Sequence, residues 1–196
     1  YMVEKEILSG YPDGTFRPNN TVTRAEFIKM LDATFGLCET IAINYSDVSS
    51  DDWFYSYVQQ AAAQGYLLDY GAKLDPNGQL NREEAAALLA RYLNLSPDNK
   101  AAPGTFPDYM DISSQYRDYV LQCVAAGILK GYDDGEFKPA RTLTRAEALA
   151  ILYRSAGTIY RISSSGTDGA AAPSNASVTS GNITVSNANL QGSVYV

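Results

Sequence analysis

The stretch GYPDGTFRPNNTVTRAE, Gly10 to Glu26, returns without a gap as GYDDGEFKPARTLTRAE, Gly131 to Glu147. The interval is roughly twice sixty residues, so a unit of that length requires a further copy midway. LLDYGAKLDPNGQLNREE, Leu67 to Glu84, fills the place with one residue deleted and most of its glycine turn lost, while Pro76, Arg82 and Glu84 stay in register. Nothing else in the chain limits the fold as strongly. A repeated unit of this size is one supersecondary element that cannot bury its apolar face alone, and it must pack against its sister copies.

Each copy runs into a helix. Thr23, Asn81 and Thr144 are N-cap residues, and Glu26, Glu84 and Glu147 stand three places later, the spacing of a capping box. Apolar residues follow at helical intervals: Phe27, Met30, Leu31 and Phe35; Leu88, Leu89 and Leu93; Leu149, Ile151 and Leu152. Gly36, Asn94 and Gly157 then tolerate the left-handed conformation that ends a helix. An earlier helix precedes each turn. Trp53, Tyr57, Ala61 and Ala62 lead to Gly65, and Tyr116, Tyr119, Val120, Cys123 and Val124 lead to Gly127. Copy one keeps only YMVEKEIL before its loop, so the chain begins inside a helix whose start is expected upstream. The expected fold class is all-α: three helix-loop-helix repeats with a short β-like C-terminal tail.

Composition removes several functions. The chain has 196 residues, a net charge of −7 and no histidine. Ser-His and Cys-His nucleophiles and the usual zinc sites are therefore excluded. Lysine and arginine never cluster, which argues against binding nucleic acid by phosphate neutralisation. No apolar run is long enough to cross a bilayer. Cys38 and Cys123 lie in helical-looking segments and read as small hydrophobes rather than as a disulfide. The acidic turns at Asp13-Gly14 and Asp134-Gly135 lack the alternating ligands and distal glutamate of a calcium loop, and read as tight turns with positive φ at glycine.

The arginine between the cap and the glutamate is harder to explain. Arg24, Arg82 and Arg145 occupy the first helical position, where the macrodipole disfavours a cation by about 0.3–1 kcal/mol. One explanation is an anion site at the mouth of each helix, with N-terminal N–H groups and a guanidinium gripping a carboxylate or phosphate. The other is an internal pair with an Asp of a neighbouring turn. The two weigh evenly on the sequence alone.

GYPDGTFRPNNTVTRAEF, GYDDGEFKPARTLTRAEA and the YSDVSSDDWFYSYV lead-in of the middle copy resemble S-layer homology domains, modules that attach surface proteins of Gram-positive and related bacteria to the cell wall. The resemblance covers about Tyr1 to Gly157, divided as 1–37, 45–95 and 106–157. It implies a pseudo-threefold bundle with grooves between adjacent repeats, in a secreted protein held at the cell wall or surface layer. It further implies a noncatalytic anchor without cofactor or metal, whose partner is secondary cell-wall polysaccharide, often carrying anionic pyruvate ketals. Carried over residue by residue, Arg24, Arg82 and Arg145 would hold the acidic sugar. Glu26, Glu147, Asp13, Gly14, Asp134 and Gly135 would shape the grooves, and Tyr11, Tyr132 and Trp53 would offer faces to sugar rings.

Two departures qualify the resemblance. Copy two has DYGAKL in place of the full glycine turn, which weakens any groove built from it, and copy one lacks the start of its first helix. At most two competent grooves are expected. Beyond Gly157, residues 158–177 read as a small-residue linker. Residues 178–196 alternate in the manner of strands around Ile183 to Val185 and Val194 to Val196, resembling the opening of a repetitive β domain. A surface-layer assembly module binding protein partners is the alternative function. A glycoside hydrolase is disfavoured because glutamates committed to capping boxes are poorly placed for a raised pKa.

Overall fold

A computed structural model describes residues 13–156 and three short strands in the tail. The bundle contains α1 (Arg24–Phe35), α2 (Tyr55–Ala63), α3 (Arg82–Tyr92), a single 3-10 turn (Tyr109–Asp111), α4 (Arg117–Ala125) and α5 (Arg145–Ala156). Among the described residues no helix is long and apolar enough to cross a membrane.

The local signals act where the sequence puts them. Thr23 holds an extended conformation and accepts from the Glu26 amide while the Glu26 carboxylate accepts from the Thr23 amide, a complete capping box. Thr144 and Glu147 repeat it at 2.9 Å and 3.2 Å. Copy two has half of it: Asn81 accepts from the Glu84 amide at 2.8 Å, but the Glu84 carboxylate is engaged elsewhere. Helix α1 stops at Gly36, φ 70°, and α3 stops just before Asn94, φ 46°. Gly157 and the YMVEKEIL helix lie outside the described residues. The stripe expected on α2 is corrected. Phe54, Val58 and Ala61 are buried, whereas Trp53 precedes the helix and is 54% exposed.

The copies close into a ring. The Val22 amide donates to the Leu143 carbonyl at 2.9 Å, Leu143 to Leu80 at 3.0 Å, and Leu80 back to Val22 at 3.1 Å, and all three side chains are sealed from solvent. Around them Thr23 bridges Gln79, Asn81 bridges Thr142, and Thr144 bridges Thr21. These positions are equivalent in the three copies, so the connection is cyclic and the pseudo-threefold axis runs through it. Helix α2 packs on α1, α4 on α3, and α5 on α1. The first helix of a copy thus buries its apolar face on the preceding copy, as units too small to hold a core alone must do.

Each loop returns through a non-glycine residue with positive φ just before its proline: Arg17 at 51°, Asp75 at 52° and Lys138 at 58°. Such a conformation persists only where its surroundings enforce it. In copies two and three an aspartate does so. Asp47 accepts from the Leu74 and Asp75 amides at 2.9 Å and 2.8 Å, and Asp108 accepts from Phe137 and Lys138 at 2.8 Å and 2.7 Å. Both cysteines are free thiols, Cys38 exposed and Cys123 buried with its Sγ donating to the Ala86 carbonyl at 3.4 Å. In the tail, β1 (Tyr160–Ile162), β2 (Ala176–Val178) and β3 (Val194–Tyr195) pair in parallel in that order. Strand β1 falls within the segment read as linker, and Ile183 to Val185 lie outside the described residues.

Candidate functional site: the clefts between repeats

The three arginines open α1, α3 and α5, but the helix N–H groups beside them are not free for an anion. Arg24 and Ala25 donate to the Gly78 and Pro76 carbonyls at 2.9 Å each. Arg82 and Glu83 donate to Arg141 and Pro139, and Arg145 and Ala146 to Asn20 and Pro18, at 2.8–3.1 Å. The third amide of each helix goes to its cap. The expected cradle of helix amides is therefore corrected: ring closure consumes it, and the guanidinium is what each junction has left to offer.

Those guanidiniums cross to the next copy. Arg24 donates to the Leu74 carbonyl at 2.8 Å and to Asp75, Arg82 to the Lys130 carbonyl, and Arg145 to Phe16 at 3.1 Å. Each lies over an aromatic ring: Tyr70 at 4.8 Å, Tyr132 at 4.6 Å with Phe137 at 4.9 Å, and Phe16 at 5.2 Å. All three are buried, with exposures of 9%, 5% and 6%. Cation–π contact and hydrogen bonds to carbonyls of the adjoining loop offset the unfavourable dipole, so part of the reason for arginine is to clamp one repeat to the next.

Beyond that shared frame the junctions differ. At the first, Glu84 faces Arg24, with Nε to Oε1 at 2.7 Å, and takes the Tyr70 hydroxyl at 2.8 Å. Burial pulls the Arg24 pKa down, but the hydrogen bond and charge of Glu84 overcome it and raise it above the ordinary value. At the third, Arg145 reaches Glu26 only at 4.0 Å, and Tyr11 lies outside the described residues.

The second junction is open. A cleft of about 440 Å³ is lined by Arg82, Lys130, Gly131, Tyr132, Asp133 and Glu147, with Ala150, Ile151 and Arg154 along α5. Arg82 has no ion-pair partner among the described residues, and its buried Nε lacks any hydrogen-bond acceptor there. Burial holds its pKa below the ordinary value. Glu147 acts on it through its charge but makes no ion pair with it. That carboxylate is held by the Thr144 amide, the Thr144 hydroxyl at 3.0 Å, the Tyr132 hydroxyl at 2.8 Å and Arg141 at 3.4 Å. Burial raises the Glu147 pKa, and these partners more than reverse it, so the group stays ionised.

Of the residues singled out by sequence, Arg82, Tyr132 and Glu147 meet in this cleft. Arg24 and Arg145 with Glu26 belong to the other junctions. Asp13 and Asp134 are exposed on turns at Gly14 and Gly135, φ 78° and 83°, each tied to its own loop through Arg17 or Lys138. Trp53 is outside the cleft lining and packs against Phe54 and Tyr57 under Lys29. Lys130, Asp133 and Arg154 were missed. A signal for Arg154 existed, since Glu147, Ala150, Ile151 and Arg154 form one face at helical spacing. The weakened turn of copy two walls the Arg24 junction, while Arg82 of that copy faces the intact turn of copy three.

The model of the S-layer homology domain matches residues 1–28, 44–86 and 105–149. The chain belongs to the S-layer homology family. Relatives include an amylopullulanase of Thermoanaerobacterium thermosulfurigenes, 33% identical over 78% of this chain and 8% of that protein. A cellulosome-anchoring protein of Acetivibrio thermocellus is 30% identical over 76% of the chain and 35% of its own length. The S-layer protein sap of Bacillus anthracis is 26% identical over 79% of the chain and 19% of its own length. The chain thus spans a minor part of each relative, and its likeness to the amylopullulanase is confined to the S-layer homology region.

Proposed function

We propose that this S-layer homology chain is a noncatalytic anchor at the cell surface, binding an acidic polysaccharide of the wall through the Arg82 cleft. The ligand group is a carboxylate, that of a pyruvate ketal on a wall sugar. The observation that carries the reading is Arg82 itself: a buried guanidinium beside an open cleft, with an orphaned Nε and no carboxylate of its own. An unpaired buried charge is costly, and a ligand carboxylate recovers that cost through charge-assisted hydrogen bonds. The Tyr132 ring lies against the guanidinium at 4.6 Å, and Lys130, Asp133 and Arg154 complete the charged part of the lining. The S-layer and cellulosome-anchoring relatives support a role at the surface.

Calorimetry with purified wall polysaccharide tests this reading. Arg82→Ala should lose roughly 2–5 kcal/mol, the range for truncating one partner of a buried charged hydrogen-bonded pair. Arg24→Ala should change the affinity of the Arg82 cleft by no more than about 0.5 kcal/mol, as expected for separate sites. Equal binding of depyruvylated polymer would refute the carboxylate as the ligand group.

A further inference from the structure

The equivalent glutamates of copies two and three do different things. Glu147 turns back to its own cap, taking the Thr144 amide at 2.9 Å and hydroxyl at 3.0 Å, with Arg141 at 3.4 Å. Glu84 turns forward. It accepts from Arg24 through Nε at 2.7 Å and Nη2 at 3.3 Å, and from the Tyr70 hydroxyl at 2.8 Å. Both side chains of the Arg24–Glu84 pair are nearly buried, at 11% and 7% exposure. Two substitutions in copy two account for the difference. Where copy three has Arg141, copy two has Gly78, so the loop of copy two offers Glu84 no arginine at the place where Arg141 meets Glu147. Where copy three has Thr144, copy two has Asn81, whose side chain accepts the Glu84 amide and offers no hydroxyl.

Tyr70 and Tyr132 are equivalent, and each lies under the arginine of the preceding copy at 4.8 Å and 4.6 Å. The Arg24 junction therefore shares the arginine-over-tyrosine frame of the Arg82 cleft, but Glu84 already sits on its guanidinium, with the exposed Asp75 carboxylate at 3.4 Å. A two-point grip on a desolvated arginine over a tyrosine face is the geometry an incoming carboxylate would need. We infer that Glu84 is the resident occupant of the Arg24 junction, an internal carboxylate that takes the place of the acidic sugar and removes this junction from the set of binding sites. Glu84 rather than the lost glycine turn is then the residue that keeps the junction shut. The inference rests on the proposal that a guanidinium receives the ligand's acid.

The test uses the full 196-residue chain, with the 4,6-pyruvate ketal of methyl glucoside as a monovalent acidic probe and the arginine Nε–Hε resonances as site-resolved reporters. In the native chain the probe should shift the Arg82 signal and leave Arg24 still. In Glu84→Gln, which keeps size and the hydrogen bond from Tyr70, both signals should shift and the stoichiometry should rise by one. If Arg24 stays still in the folded variant while Arg82 responds, Glu84 is not the occluding group and the inference is overturned, although the Arg82 reading stands. If Arg24 responds in the variant and Arg82 responds in neither protein, the inference holds and the Arg82 reading fails. Silence at both arginines sinks both. Should the variant unfold too readily for spectroscopy, its thermal midpoint becomes the readout. The probe should raise that midpoint more than it raises the native one, and an equal rise in the two proteins counts against the inference.

Discussion

Asp32 lies inside α1, buried to 1% exposure, with Oδ1 accepting the Tyr66 hydroxyl at 2.6 Å and Oδ2 without a hydrogen-bond partner among the described residues. Burial pushes its pKa well above the ordinary carboxylate value, and the bond from Tyr66 only partly opposes this. The sign follows from linkage. A folded pKa above the unfolded value means this group's contribution is complete in acid and is lost as pH rises toward the folded pKa. The decline should begin above about pH 4, where an unfolded aspartate ionises. Asp32→Asn keeps the acceptor for Tyr66 and removes the ionisation, so urea unfolding at pH 5, 7 and 9 should show the native chain losing stability relative to the variant. A constant difference across that range would mean that Asp32 does not titrate with unfolding. Nothing local in the sequence marks this residue, because its burial is created by Tyr66, more than thirty positions away. The arginines were more legible. Their conflict with the helix dipole was visible in the motif, but which of them faced an internal acid depended on the distant positions 78 and 141.

At the scale of elements, caps and helix ends were legible because each is decided within a few residues of chain. The ring was not, since Val22, Leu80 and Leu143 acquire their partners only when three copies meet. The return loops behave similarly. Lys138 holds φ 58° because Asp108, roughly thirty positions earlier, takes both its amide and that of Phe137. Removing this carboxylate should relax the loop that carries Phe137 and Tyr132, the rings under Arg82. Asp108→Ala should destabilise the fold by about 1.5–3 kcal/mol, the range for hydrogen bonds to a charged group. It should also weaken polysaccharide binding, although Asp108 is not among the cleft-lining residues. Denaturant titration and calorimetry on the same variant check the two effects together.

At the scale of the molecule, closure separates this bundle from an open array. In a linear solenoid each repeat touches only its neighbours, and the terminal units can melt first. Here copy three returns to copy one through the Val22–Leu143 and Arg145–Asn20 bonds, so no described repeat is terminal. Unfolding should therefore be a single transition, with Trp53 fluorescence and far-ultraviolet dichroism coinciding in urea. Separated curves would show that the repeats open independently. The two thiols offer a further view of the same event. Cys38 stands in solvent, while Cys123 is sealed where α4 packs on α3, its thiol pushed up to about 12 by burial. An alkylating reagent should consume one cysteine at once and wait for the other, so the lag before the second adduct becomes an intrinsic clock for how often the ring comes apart.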